Sequence, residues 1–164
     1  MHRLTQPHMS RRGVLLIATA AVLFSTAAWA AEPAINTLKN SRFGGRTDTA
    51  INGYDPVAYF TVGKPLKGQD GLATDWIGAK WKFSSQANLD LFKTNPEKYA
   101  PQYGGYCAYG VTQGSLVKVE PEQFTLRDGK LYLNYDADVQ AKWLKDPAGY
   151  IKDADAKFQA LLKK

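Results

Sequence analysis

The segment Gln123 to Asn134 carries Asp128-Gly129 at its middle, and that dipeptide is the one that most readily takes the left-handed turn of a two-residue β-hairpin. The turn fixes a register: Leu126 faces Leu131 and Phe124 faces Leu133, while Thr125, Arg127, Lys130 and Tyr132 fall on the other side. Thr74 to Phe83 reads as a second hairpin with Ile77-Gly78 at its turn. It pairs Trp76 with Ala79 and Thr74 with Trp81 on an apolar face, and Asp75 with Lys80 on a charged one. Two faces that make sense in one register are better evidence than strand propensity alone.

Helical segments surround the hairpins. Ser84 or Ser85 caps a helix whose Ala87, Leu89, Leu91 and Phe92 form an apolar stripe, and Asn95-Pro96 opens a short helix with Asn as cap and Pro at the first position. One closing helix starts near Asp136, with Val139 and Trp143 a turn apart; another starts at Asp146-Pro147 and gathers Tyr150, Ile151, Ala154, Phe158, Leu161 and Leu162 on one face. Asp55-Pro56 marks a turn before Val57 to Phe60, which reads as a short strand; Val62 to Gly71 reads as a loop and Leu116 to Pro121 as a linker. Hairpins and helices without strand-helix-strand alternation indicate an α+β domain, a small antiparallel sheet packed with helices and ending in two of them.

The first thirty residues read as a secretory signal peptide. Residues 1–12 are acid-free and contain Arg3, Arg11 and Arg12, Gly13 to Ala28 is apolar or small throughout, and Ala28-Trp29-Ala30 supplies the cleavage site, so that cutting falls between Ala30 and Ala31. Ser10-Arg11-Arg12-Gly13-Val14 resembles a twin-arginine export signal, and an ordinary Sec signal with two arginines fits equally; both lead to the periplasm. The apolar run is short for a membrane span, which leaves the mature protein without a stable one. Residues 31–48, poor in apolar side chains, read as a mobile N-terminal arm outside the core, and 49–164 as the folded domain.

Cleavage also narrows the chemistry. His2, His8, Met1 and Met9 all leave with the leader, so Cys107 is the only sulfur of the mature chain and no histidine remains. Three arginines go with them, which lowers the formal charge from +6 to +3, and the lysines form no run. That excludes nucleic acid as the expected partner. Tyr99, Tyr103, Tyr106 and Tyr109 recur at helical spacing around Gly104 and Gly105, which places Cys107 near a helix start. Two readings of this stretch stand side by side. In one, Cys107 fills space beneath packed tyrosines. In the other, Cys107, Tyr54, Tyr59, Trp81, Tyr103 and Tyr106 line a ligand pocket, with Gly104 and Gly105 letting a ligand or another backbone approach. Asp55 reads as a turn residue bonded to its own backbone.

Four spaced motifs carry a resemblance: G-Y-D-P-V-A-Y-F at Gly53 to Phe60, W-K-F-S-S at Trp81 to Ser85, F-K-T-N-P-E-K-Y at Phe92 to Tyr99, and D-G-K-L-Y-L-N-Y at Asp128 to Tyr135. Together, over most of Ile51 to Ala156, they resemble the secreted YHS-domain proteins of bacteria. Shorter YHS modules of metal proteins are thought to hold metal through cysteines, and the resemblance puts those positions at Ala58, Ser84 and Asn88. None of the three supplies a thiolate, so no cofactor is expected and a soft metal would have only Cys107. The expectation is an exported, non-enzymatic YHS-like domain that binds a small ligand, a metal-related species or an envelope protein. A thiol-dependent enzyme centred on Cys107 and a purely structural envelope protein are the alternatives.

Overall fold

A computed structural model describes residues 31–39 and 44–164, and within them both hairpins take the registers expected from their turns. Strands β1 (Gln69–Trp76) and β2 (Ala79–Phe83) pair Thr74 with Trp81, Asp75 with Lys80 and Trp76 with Ala79. Strands β3 (Glu120–Arg127) and β4 (Lys130–Asn134) pair Phe124 with Leu133 and Leu126 with Leu131. Each hairpin is a separate two-stranded antiparallel sheet. With the surrounding helices they make an α+β fold.

The helices are α1 (Ala58–Thr61), α2 (Gln86–Thr94), α3 (Pro96–Tyr99), α4 (Ala108–Thr112), α5 (Ala137–Trp143) and α6 (Pro147–Leu161). Four of them start on a side-chain cap of the expected kind: Ser85, Asn95, Asp136 and Asp146 each accept from the backbone N–H three residues on. Two apolar clusters form. The first gathers Tyr59, Trp81, Phe83, Leu89, Phe92, Leu131 and Leu133. The second sets Tyr132 against Tyr103, Trp143, Ala154 and Leu161. Strand β4 is the wall between them, because Leu131 and Leu133 point to one cluster and Tyr132 to the other, and all three are buried.

The structure corrects several local expectations. Val57 to Phe60 is not a strand; Ala58–Thr61 is a helical turn, because the Asp55 carboxylate caps the amides of Val57 and Ala58 and turns the chain into a helix. The buried stripe of α2 is Asn88, Leu89 and Phe92, whereas Ala87 and Leu91 are exposed. Strand β1 begins at Gln69, inside the stretch read as a loop, and β3 begins at Glu120, inside the stretch read as a linker. Both extensions follow irregular pairing that hairpin periodicity does not register.

The largest difference concerns residues 31–39. Ile35, Asn36 and Thr37 are buried, although the sequence reading put no core residue there. Asn36 holds the segment in place: its backbone N–H donates to the Gly104 carbonyl at 2.8 Å and its Nδ2 to the Gly105 carbonyl at 2.9 Å, while its own carbonyl accepts from Ile51 N–H at 3.2 Å. A polar sequence can enter the core in this way when its hydrogen bonds are met there. The leader and its cleavage after Ala30, with residues 40–43, lie outside the described residues. Among the described residues no helix is long and apolar enough to cross a membrane.

Candidate functional site

Cys107 does start a helix. It caps α4, its Sγ accepting from Gly110 N–H at 3.3 Å and donating to Asn134 Oδ1 at 3.8 Å. The sulfur is sealed, with the residue 1% exposed, and burial pushes the thiol pKa up against the smaller lowering by the Gly110 amide. A thiol held neutral in an apolar core is a poor nucleophile.

The aromatic candidates separate into the two clusters. Tyr59 and Trp81 share the first cluster with Cys107, and Tyr54 packs at its edge; Tyr103 and Tyr106 are in the second. Their polar atoms are engaged. The Tyr59 hydroxyl donates to the Pro121 carbonyl at 3.0 Å, Trp81 Nε1 to the Trp76 carbonyl at 3.1 Å, and the Tyr106 hydroxyl to the Pro33 carbonyl at 2.9 Å. Tyr54 donates to the Glu122 carboxylate at 2.6 Å, which, with partial burial, raises its pKa to about 12. Burial likewise raises the phenol pKa of Tyr59, and that of Tyr106 despite Arg46 Nη1 donating to it at 3.1 Å.

Gly104 and Gly105 admit a backbone, and it is the chain's own. Both have positive φ, and a methyl on Gly104 would overlap the Ala34 carbonyl oxygen, so the crossing of Ala34 to Asn36 requires glycine there. Gly104 also borders an apolar cleft of about 290 Å³. Trp76 and Ile77 from the first hairpin, Pro101 and Ile35, and Phe158 and Leu162 from the end of α6 form its walls. Ile77 stands out at its rim: the residue is 54% exposed and its backbone is left-handed at φ +47°. A β-branched residue in that conformation is strained by about 1–2 kcal/mol, and the equivalent turn position of the other hairpin holds Asp128 instead. Isoleucine in place of a turn residue at Ile77-Gly78 was the signal available in the sequence.

Asp55 is the other residue the sequence undervalued. It is fully buried, and five donors converge on its carboxylate. Oδ1 accepts from Val57 N–H at 2.9 Å and Ala58 N–H at 3.2 Å. Oδ2 accepts from Ser84 N–H at 2.8 Å, Ser84 Oγ at 2.6 Å and Asn88 Nδ2 at 2.7 Å. Ala58, Ser84 and Asn88 are the three positions where metal-binding YHS modules are thought to carry cysteine. Here they offer an amide N–H, a hydroxyl and a carboxamide, all turned to a carboxylate, and that set does not fit a thiolate metal site. No group of three or more His, Cys, Asp or Glu side chains able to hold a metal occurs among the described residues.

The residues that donate to Asp55 (Val57, Ala58, Ser84 and Asn88) all fall within the segment that a comparison with protein families matches. No curated protein and no solved structure matches the chain. Residues 57–103, from the capped turn of α1 through α2 and α3 to Tyr103, match the family model of the YHS domain, and the chain carries that domain there.

Proposed function

We propose that this chain is an exported, non-enzymatic YHS-domain protein that holds a small apolar ligand in the cleft beside Ile77. The observation that carries the proposal is Ile77 itself, an exposed and strained apolar residue on the rim of an apolar cleft. Strain retained at an exposed site is a mark of function, since a turn residue there would stabilise the fold. The cleft lies at the small end of the size range of ligand pockets and is walled by apolar and aromatic side chains. The sealed Cys107 weighs against the thiol-enzyme alternative. The arginine-containing, acid-free lead and apolar run of residues 1–30 support export to the periplasm.

Octanol is a suitable probe, because Trp76 lines the cleft and its fluorescence would report occupancy. The mature protein is expected to show a saturable change, weakened in Ile77→Asn and unchanged in Cys107→Ser. A change that never saturates, or that Ile77→Asn leaves intact, removes the cleft from the proposal. Export is checked by sequencing the N-terminus of the periplasmic protein, which is expected to begin at Ala31.

A further inference from the structure

We infer that the Asp55 carboxylate is an internal crosslink among the segments that cysteine-held metal is thought to join in shorter YHS modules, so that this domain folds without metal. The inference rests on the YHS domain and is independent of the cleft. Three segments meet at Asp55: the start of α1 through Val57 and Ala58, the end of β2 through Ser84, and the first turn of α2 through Asn88. A metal bound by cysteines at Ala58, Ser84 and Asn88 would tie together these same segments. The carboxylate does so with hydrogen bonds, and each partner it meets is a donor, which is what an acceptor-only group requires.

The side-chain tips at 84 and 88 are already neighbours. Ser84 Oγ and Asn88 Nδ2 both touch Asp55 Oδ2 and lie 3.4 Å from each other. Two thiolates in their places, with the Asp55 carboxylate, would make a three-ligand set suited to zinc or cobalt, with water completing it. The side-chain tips at 84 and 88 therefore converge, and they carry a hydroxyl and a carboxamide.

Thermal unfolding of the mature protein, with metal analysis, tests this. The wild type is expected to carry no stoichiometric metal and to melt at the same temperature with EDTA or with added Zn(II). Asp55→Ala is expected to melt lower by about 10 °C or more, or not to fold, and the milder Ser84→Ala to melt lower by about 3 °C. The double variant Ser84→Cys/Asn88→Cys, titrated with Co(II), is expected to develop thiolate-to-cobalt charge-transfer absorption and to gain thermal stability with Zn(II). A wild type that holds stoichiometric metal or loses stability in EDTA overturns the inference. So does an Asp55→Ala or Ser84→Ala protein that melts like the wild type, or a double variant that gains neither the cobalt band nor stability with zinc.

Discussion

The Tyr103 hydroxyl donates to the Asp155 carboxylate at 2.9 Å and so ties the glycine-rich turn before Cys107 to α6. The Tyr103 ring also packs edge-on against Phe158 one turn further along the helix. Burial, and then the hydrogen bond to Asp155, raise the phenol pKa. Asp155→Ala leaves a half-buried hydroxyl with only its longer contact to the Ile151 carbonyl, and is expected to cost about 1–2 kcal/mol in denaturant unfolding.

The same raised phenols set an alkaline limit. Tyr59 and Tyr103 hold their protons more tightly folded than unfolded, so their contribution to stability is whole below about pH 10, where the unfolded phenol is still protonated. It is lost as pH climbs beyond that value towards the folded pKa. Stability is therefore expected to fall above pH 10, and by a smaller total in Asp155→Ala, where one cause of the Tyr103 shift is gone. Denaturant midpoints across the alkaline range, read beside phenolate absorbance, check both.

Gly104→Ala is expected to be among the most damaging single substitutions, at about 3 kcal/mol or more. Two independent costs combine: alanine at φ +61° is strained, and its methyl would displace the Ala34 carbonyl. The displacement would also break the Asn36 N–H to Gly104 carbonyl bond that holds residues 31–39. Limited proteolysis gives the specific readout, since cleavage near Ala34 should appear before global unfolding.

The elements legible in the sequence were those set by local chemistry. Asp128-Gly129 dictated a register, and Ser84 or Ser85, Asn95, Asp136 and Asp146 announced helix starts, with Ser85 the cap of the first, because turns and caps involve residues close in sequence. What escaped depends on partners far along the chain. Asp55 looked like a turn residue because two of its acceptor contacts are local; the other three come from Ser84 and Asn88, about thirty positions away. Asn36 looked solvated because its partners are Gly104 and Gly105. Tyr132 was placed on the side of its hairpin away from Leu131 and Leu133, with Arg127 and Lys130, yet it is buried, because β4 has a cluster on each side, which alternation cannot reveal.

Cys107 gives a prediction that separates packing from reactivity. Serine can make the same cap to Gly110 N–H and fits the volume, at the cost of burying a hydroxyl, so Cys107→Ser is expected to change stability by no more than about 1 kcal/mol. Cys107→Val keeps an apolar side chain but loses the cap and adds volume in a closed core, and is expected to cost more, about 2 kcal/mol. Alkylation of the wild-type thiol should be slow in native buffer and fast in denaturant, because burial both blocks access and raises the thiol pKa. Rapid native alkylation would place the sulfur within reach of a substrate and revive the enzyme alternative.

Ile77→Asn tests the strained turn directly. Asparagine tolerates the left-handed backbone at φ +47° and forms the favoured Asn-Gly turn with Gly78, and because Ile77 is 54% exposed it gives up only part of an isoleucine's burial. The variant is expected to be more stable than the wild type by about 1 kcal/mol in denaturant unfolding. Stability and binding should then move in opposite directions, the variant holding its fold better and octanol less well. If Ile77→Asn instead destabilises the protein, the isoleucine is a packing residue of the fold, and its exposure carries no functional weight.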